Sequence, residues 1–338
     1  MGGIEAHCEN CGAEATWYHG CRDRHCPQCQ GRTTRRCAER QHEQLLPVPY
    51  FHVGFTLPHD LNGWVALHPE VIYRRLFKAV WTTLDTFGHD LKRLDGQLGM
   101  SAVLHTWGQN LSRHVHLHCL VPGGALGDDG RWHPARSTYL FPVRALSRHL
   151  RATMVRLLRQ AWRRGQLKRV IRPGEVDRLL DALMARDWVV YSKHCLQRSA
   201  SVDEYLARYT HRIAITDARI LSVSDDSVTV RYMDYADHDR HKTLTLDGPE
   251  FARRFLMHIV PKGLMRVRHY GFLANRCRKR KLAEVRSALD QPVAADEASG
   301  EEAGRVPLAG LSCRCCGRSP LRLLVTRPAT RPWRVSSG

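Results

Sequence analysis

The sequence lacks several features that mark common protein classes. None of its apolar runs approaches the roughly 18 residues needed to span a bilayer. The N-terminal segment MGGIEAHCENCG has neither the basic nor the apolar stretch of a signal peptide. No G-x-x-x-x-G-K-[ST] phosphate-binding loop and no internal repeat is visible. We therefore expect a cytoplasmic protein that has no membrane partner and no such nucleotide-binding loop.

Acidic residues are also scarce relative to basic ones. The 33 Asp and Glu face 52 Lys and Arg, which gives a formal net charge of +19 and an isoelectric point near 9.8. A charge of this sign favours polyanionic partners, of which nucleic acid is the leading candidate. The acidic residues that are present form no recognisable triad of carboxylates for a catalytic metal.

Changes in composition divide the chain into three parts. Residues 1–46 combine a cysteine-rich segment with a short basic helix, which we predict over 31–46. Residues 47–290 alternate apolar and polar positions in the manner of an α+β domain. Residues 291–338 begin with an acidic linker rich in small residues, and we expect a disordered tail there.

The 47–290 region carries the patterns of both strands and helices. Strands are predicted at 50–57, 101–108, 114–121, 187–193, 212–215, 227–233 and 242–246. Helices are predicted at 68–87, 142–164, 202–210, 250–260 and 274–289. The strands 101–108 and 114–121 flank a short polar loop, which indicates an antiparallel hairpin. These patterns predict an α+β fold with an antiparallel sheet flanked by helices.

Twelve cysteines in a reducing compartment indicate metal ligands more often than disulfides. Two Cys-x-x-Cys pairs near the N-terminus, separated by fourteen residues, have the spacing of a structural zinc site: Cys8, Cys11, Cys26 and Cys29. Cys21 and His25 lie in the same segment and are alternative ligands, or ligands of a second ion. A third pair, Cys313-x-x-Cys316, has no evident partner pair in the sequence.

The stretch HVHLHCLV, residues 114–121, places three histidines on one side of a predicted strand. His116 and His118 flank Leu117, so both can reach one ion. His105 on the neighbouring predicted strand can face the same point, because paired strands present side chains about 5 Å apart. A solvated histidine face is an equally good interpretation of this stretch taken alone.

Tyr205 and Tyr209 share one face of a predicted helix, because residues four apart lie about one turn from each other. An isolated pair with this spacing is more often part of a core. This pair, however, lies in a basic chain that also has a histidine strand and cysteine pairs.

The chain resembles the HUH class of rolling-circle transposases, specifically the two-tyrosine insertion-sequence type with an N-terminal zinc-binding domain. The resembling segments follow the family's order from residue 8 to about residue 285. They are CENCG, CRDRHCPQCQ, PYFHVGFTLP, LHTWGQNLSRHVHLHCLVPGG, EYLARYTHRIAI, TLDGPEFARRFLMHIVPKG and RHYGFLANRCRKRKLA. The family usually has a longer segment ahead of the first cysteine pair than the seven residues present here.

The resemblance implies a metal-dependent DNA strand transferase with an HUH endonuclease-like fold. His116 and His118 would hold Mg²⁺ or Mn²⁺, with His105, Asn110 or the tyrosine helix as the third ligand. Tyr205 or Tyr209 would attack the scissile phosphate and form a 5′-phosphotyrosine. The partners would be single-stranded DNA at transposon ends and target DNA, in the bacterial nucleoid. The cysteine site would bind structural Zn²⁺.

Basic residues near these segments are candidate contacts to DNA phosphates. The set is Lys193, Arg208, Arg266, Arg268, Arg278, Lys279, Arg280 and Lys281. For such positions a solvated surface is the alternative interpretation. Two other functions stay open: a plasmid replication initiator or relaxase of the HUH class, and a zinc-ribbon DNA-binding protein without catalysis.

Overall fold

A computed structural model describes residues 3–18, 44–135, 140–170, 172–196, 214–235, 237–289, 315–316 and 321–327. The chain divides into two units, one formed by residues 1–31 and 294–338 and the other by residues 32–293. Of the helices described, none is long and apolar enough to cross a membrane.

A five-stranded antiparallel sheet forms the centre of the larger unit. Its strands are β3 (Tyr50–Thr56), β4 (Gly99–Trp107), β5 (Arg113–Pro122), β8 (Val190–Leu196) and β12 (Val267–Gly271). They lie in the order β12-β4-β5-β3-β8, which makes β5 the central strand. β4 and β5 form the hairpin predicted from the sequence.

Alternation along the strands gives the sheet one apolar and one polar face. On β5, Val115, Leu117 and Cys119 belong to the main core, and the histidines between them point to the other face. Three helices contribute side chains to the same core: α2 (Pro69–Gly88), α3 (Val143–Arg163) and α4 (Pro173–Ala185). The structure confirms the helices predicted at 68–87 and 142–164, and the mixed architecture of antiparallel sheet and helices.

A second antiparallel sheet follows in the larger unit. It contains β9 (Ile220–Val223), β10 (Ser227–Asp234) and β11 (Arg240–Asp247) in the order β11-β10-β9. Two of its strands were predicted, at 227–233 and 242–246. The strand predicted at 212–215 is wrong for its described part, because Ala214 and Ile215 are buried in a loop instead.

Shorter elements complete the described part of the larger unit. They are α1 (Asn62–Leu67), β6 (Gly124–Leu126), β7 (Trp132–Pro134), α5 (Gly248–Leu256) and α6 (Arg278–Ala288), with single turns of 3-10 helix at His59–Leu61 and Asp217–Arg219. α5 ends four residues before its predicted end, and α6 begins four residues after its predicted start. The predicted helix 202–210 lies outside the described residues.

A three-stranded antiparallel sheet forms the described part of the smaller unit. β1 (Gly3–Cys8) is the middle strand, between β2 (Glu14–Tyr18) and β13 (Leu321–Arg327). The tail predicted to be disordered therefore contains a strand. The reason is that LRLLVTR can satisfy its backbone groups on the open edge of β1. Most of the predicted basic helix 31–46 lies outside the described residues, and its last three residues are not helical.

Candidate metal centre

Three histidine side chains converge on the polar face of the five-stranded sheet. The β4–β5 register places His105 directly opposite His116, and His118 follows two residues later on the same face. One ring nitrogen from each of the three lies within 4.8 Å of the others. The sequence-predicted residues are thus brought together in a geometry that could hold one ion.

Burial keeps the imidazoles of His116 and His118 neutral. His105 and His118 are only 3% and 6% exposed. Desolvation lowers the pKa of His116 to about 4, and the backbone contacts and charges around it have smaller effects. Desolvation, together with the neighbouring histidines, holds the pKa of His118 well below its usual value. A neutral imidazole retains the lone pair that a metal needs, so the group is competent as a ligand set at neutral pH.

A backbone contact fixes the orientation of His116. Its Nδ1–H donates to the carbonyl oxygen of His114 at 3.0 Å, which directs Nε2 to the site. His114 itself turns to His59, with 3.0 Å between His59 Nε2 and His114 Nδ1. His114 therefore orients His116 through its backbone carbonyl, while its own ring contacts His59.

Two side chains that were not predicted from the sequence contact the Nδ1 atom of His118. His52 on β3 places Nε2 at 2.9 Å from Nδ1 of His118. The Tyr191 hydroxyl on β8 lies 3.1 Å from that His52 nitrogen and 3.3 Å from the His118 nitrogen. Burial and the nearby Lys193 charge lower the pKa of His52 to about 3. Because Nδ1 of His118 is engaged here, a metal would be bound through Nε2.

The histidines form part of the wall of a cleft of about 1100 Å³. Lys193, Arg219 and Arg231 line this cleft with positive charge. Asp234 is the acidic side chain among the described residues of the lining, and its carboxylate pairs with Lys242 at 2.8 Å. A cleft with this balance attracts phosphate groups.

Two family models match the chain. One, described as "Putative transposase", matches residues 99–281 and so includes β4, β5 and the histidine cluster. The other, described as "Transposase zinc-binding domain", matches residues 1–57. The chain belongs to this transposase family.

Two curated relatives are similar to the transposase over most of its length. "Putative transposase y4qJ" of Sinorhizobium fredii (strain NBRC 101917 / NGR234) is 39% identical over 302 residues, which cover 87% of this chain and 76% of the relative. "Transposase for insertion sequence element IS801" of Pseudomonas savastanoi pv. phaseolicola is 28% identical over 278 residues, which cover 80% and 65%. No solved structure matches the chain.

The predicted DNA contacts of the transposase are distributed over more than one surface. Lys193 lines the cleft. The Arg266 guanidinium lies 5.8 Å from the ring centre of Trp107, which also lines the cleft. Arg268 does not reach the cleft, because its guanidinium packs 4.3 Å from the ring centre of Phe77 in the helix layer.

The basic run of α6 faces a different cavity. Arg280 and Lys281 line a cavity of about 690 Å³, and both pair with Glu284. Arg278 and Lys279 belong to the same first turn of α6. This run is therefore not part of the histidine cleft.

Other predicted site residues lie outside the described residues. They are Tyr205, Tyr209, Arg208, Cys21, His25, Cys26 and Cys29. Of the alternatives for a third ligand, Asn110 lines the cleft, but its side-chain oxygen accepts a hydrogen bond from the Ser112 amide at 3.1 Å. His105 fits the ligand position better, since its nitrogen already lies near those of the histidine pair.

The first cysteine pair has a neighbour that the sequence did not predict. Cys8, Cys11 and Cys316 each place a sulfur atom within 4.8 Å of the other two. Whether Cys26 and Cys29 join them stays a prediction, because both lie outside the described residues.

Proposed function

We propose that the transposase nicks and joins single-stranded DNA at insertion-sequence ends by rolling-circle transposition, through a 5′-phosphotyrosine intermediate. The observation that carries this proposal is the cluster of three histidines in a positively charged cleft. A substrate of this kind would place the protein at the bacterial nucleoid.

The donor set of His105, His116 and His118 fits a divalent cation. Neutral imidazoles suit transition metals, whereas Mg²⁺ prefers oxygen ligands in octahedral geometry. Of the two predicted cations, we therefore favour Mn²⁺ over Mg²⁺. When bound, the ion would polarise the scissile phosphate and stabilise the charge that develops on its oxygens.

The protein side chains would position the ligands and the strand. His52 and Tyr191 hold the His118 ring, and the His114 carbonyl holds the His116 ring. Lys193 at the cleft wall would contact a phosphate next to the scissile one, and Trp107 would offer a ring edge to an unstacked base.

The covalent step is assigned to Tyr205 or Tyr209. The phenolic oxygen forms a bond to phosphorus, and the bond between phosphorus and the 3′ oxygen breaks. The tyrosine gives up its proton, and the leaving oxygen gains one to become a free 3′-hydroxyl. A 3′-hydroxyl of the target strand then reverses the step, so the phosphodiester energy is retained and no nucleotide is hydrolysed.

Covalent capture of DNA tests this proposal. The full-length protein is incubated with labelled single-stranded DNA from an element end, with Mn²⁺ or Mg²⁺, and run on a denaturing gel. We expect an adduct with the wild type and none with Tyr205→Phe plus Tyr209→Phe. His116→Ala and His118→Ala should also give none, because each removes a metal ligand.

Tyr235→Phe is the matched control, since Tyr235 is an exposed tyrosine of the same cleft. It should form the adduct at the wild-type rate. An adduct that persists in the double tyrosine variant would refute the nucleophile assignment. No adduct with any metal would favour a DNA-binding protein without catalysis, and an adduct with plasmid-origin DNA alone would favour a replication initiator.

A further inference from the structure

We propose that Cys316, near the C-terminal end of the chain, binds the same zinc ion as Cys8 and Cys11. The N-terminal region matches a zinc-binding domain over residues 1–57, which does not include Cys316. The structure nevertheless places its sulfur atom with those of the N-terminal pair.

The sulfur distances fit a tetrahedral zinc site. The Sγ atoms of Cys8 and Cys316 lie 3.7 Å apart. Two thiolates on one zinc ion, each at about 2.3 Å in a tetrahedron, are separated by about 3.8 Å. A disulfide would require about 2.05 Å, so the observed spacing is too long for a disulfide and matches that of two ligands on one ion.

A turn at the end of β1 presents the N-terminal pair. Cys8 is the last residue of β1, its amide donates to the Ala13 carbonyl, and its carbonyl accepts from the Gly12 amide, both at 2.9 Å. Gly12 has a φ of +74°, a conformation that favours glycine and lets the chain turn back into β2. The turn therefore keeps the sulfur atoms of Cys8 and Cys11 close together, within 4.8 Å of each other.

The sequence repeats this arrangement at the other end of the chain. Residues 8–12 read CENCG and residues 313–317 read CRCCG, so both are Cys-x-x-Cys-Gly. Cys313 itself lies outside the described residues. The first motif begins at the last residue of β1, and Cys315 and Cys316 of the second precede β13 in the sequence.

The pairing of β1 with β13 is a second observation, independent of the sulfur atoms, that brings the segments around Cys8 and Cys316 together. β13 runs antiparallel to β1 over the whole length of β1, and Leu321 lies opposite Cys8. Cys316 is five residues before that position, which is close enough for the chain to return to Cys8. Backbone hydrogen bonds and sulfur positions thus support the same site.

The neighbouring cysteine provides a matched control. Cys315 is exposed and is not in the sulfur cluster, although it is adjacent in the chain to Cys316. Cys316→Ser should therefore remove a ligand, and Cys315→Ser should not. The prediction from sequence alone, in which Cys26 and Cys29 complete the set with Cys8 and Cys11, expects neither variant to matter.

Zinc content and thiol protection in the full-length protein test the proposal. We expect Cys316→Ser and Cys8→Ser each to contain one zinc ion fewer than wild type, and Cys315→Ser to match wild type. The double variant Cys8→Ser plus Cys316→Ser should lose no more than either single variant. Equal zinc content in Cys316→Ser and Cys315→Ser would overturn the proposal.

A second measurement needs no substitution, in case Cys316→Ser fails to fold. The wild-type protein is alkylated with iodoacetamide, with and without a zinc chelator, and the labelled peptides are quantified by mass spectrometry. Cys316 should react at least about tenfold more slowly before chelation than after it, and Cys315 should react in both states. Equal reaction of Cys316 in the two states would contradict its role as a ligand. Neither readout depends on DNA cleavage.

Discussion

The two candidate metal sites of this transposase are built in opposite ways. The histidine ligands come from one hairpin, and its strands are part of a sheet whose other face carries the main core. The cysteine cluster joins residues 308 positions apart in the sequence, within a three-stranded sheet. Ala6 and Cys8 are the described apolar side chains that are buried in the smaller unit. The first site is held by its fold, whereas we expect a metal at the second site to stabilise its fold.

Among the changes considered, removal of the metal should have the largest effect, because it should change the stability of one unit and not of the other. Small zinc-binding domains often need their metal to fold, and structural zinc supplies about 10–16 kcal/mol in zinc-finger peptides. We expect a zinc chelator to unfold the smaller unit and leave the larger unit folded. Limited proteolysis should then cut both chain ends while a fragment close to residues 44–289 persists. Simultaneous digestion of both units would show that the contrast is wrong.

Substitution of His52 or Tyr191, which contact Nδ1 of His118, should have the next largest effect. Partners that orient a metal-ligating histidine typically contribute 10–100-fold to metal affinity, so we expect a loss of about that size for Tyr191→Phe and for His52→Gln. Titration of Mn²⁺ followed by electron paramagnetic resonance measures it. Tyr235→Phe is the control. Unchanged affinity in both variants would mean that the sheet alone orients the site.

Gly54 tests how closely the site is packed. A Cβ at this position would lie 2.1 Å from a ring atom of Tyr191, so Gly54→Ala must displace the ring that supports His118. Overpacking of this kind costs about 1–3 kcal/mol, and we expect weaker Mn²⁺ binding with a lower melting temperature. Gly63→Ala is the matched control, because a Cβ there meets no atom within 4 Å. Wild-type Mn²⁺ affinity in Gly54→Ala would contradict the packing argument.

Acid should weaken the larger unit without involving the metal. His258 is buried, its Nε2–H donates to the Leu111 carbonyl at 3.1 Å, and desolvation lowers its pKa to about 4. Because the unfolded chain binds this proton near pH 6.5, stability is complete above that pH and is lost as the pH falls toward 4.

This titration should contribute about 1–2 kcal/mol to the loss of stability between pH 7 and pH 5. Urea unfolding of the metal-free protein at the two pH values measures it. His258→Gln should show a smaller pH dependence. An equal pH dependence in the variant and the wild type would assign the effect to other buried histidines.

The contrast between the histidine site and the cysteine cluster also explains which site residues could be predicted from the sequence. The hairpin could be predicted because its ligands lie within fourteen residues of chain, and a period of two assigns His116 and His118 to one face. His52 and Tyr191 could not be selected, because their role depends on the register of β3 and β8 with strands far away in the sequence. A weak signal existed for His52, which alternates with buried Phe51 and Val53 in YFHVGFT.

The cysteine cluster shows the limit of spacing as a guide. Cys8, Cys11, Cys26 and Cys29 are near neighbours in sequence, and proximity suggested a single site. The strand 321–327 was not predicted from the sequence, because the acidic linker before it dominates the composition of the whole C-terminal segment. Pairing across the length of a chain leaves no periodic pattern. The repeated Cys-x-x-Cys-Gly motif was the one signal in the sequence, and the three-dimensional structure was needed to place Cys316 beside Cys8.

The pairing of β1 with β13 has a consequence for synthesis of the protein. β1 is synthesised before β13, and residues 9–320 are made between them. The edge of β1 therefore stays unpaired by β13 until that whole stretch has been translated. A gene copy truncated ahead of the codons for β13 would yield a chain in which this sheet is never completed, even where the histidine hairpin is intact.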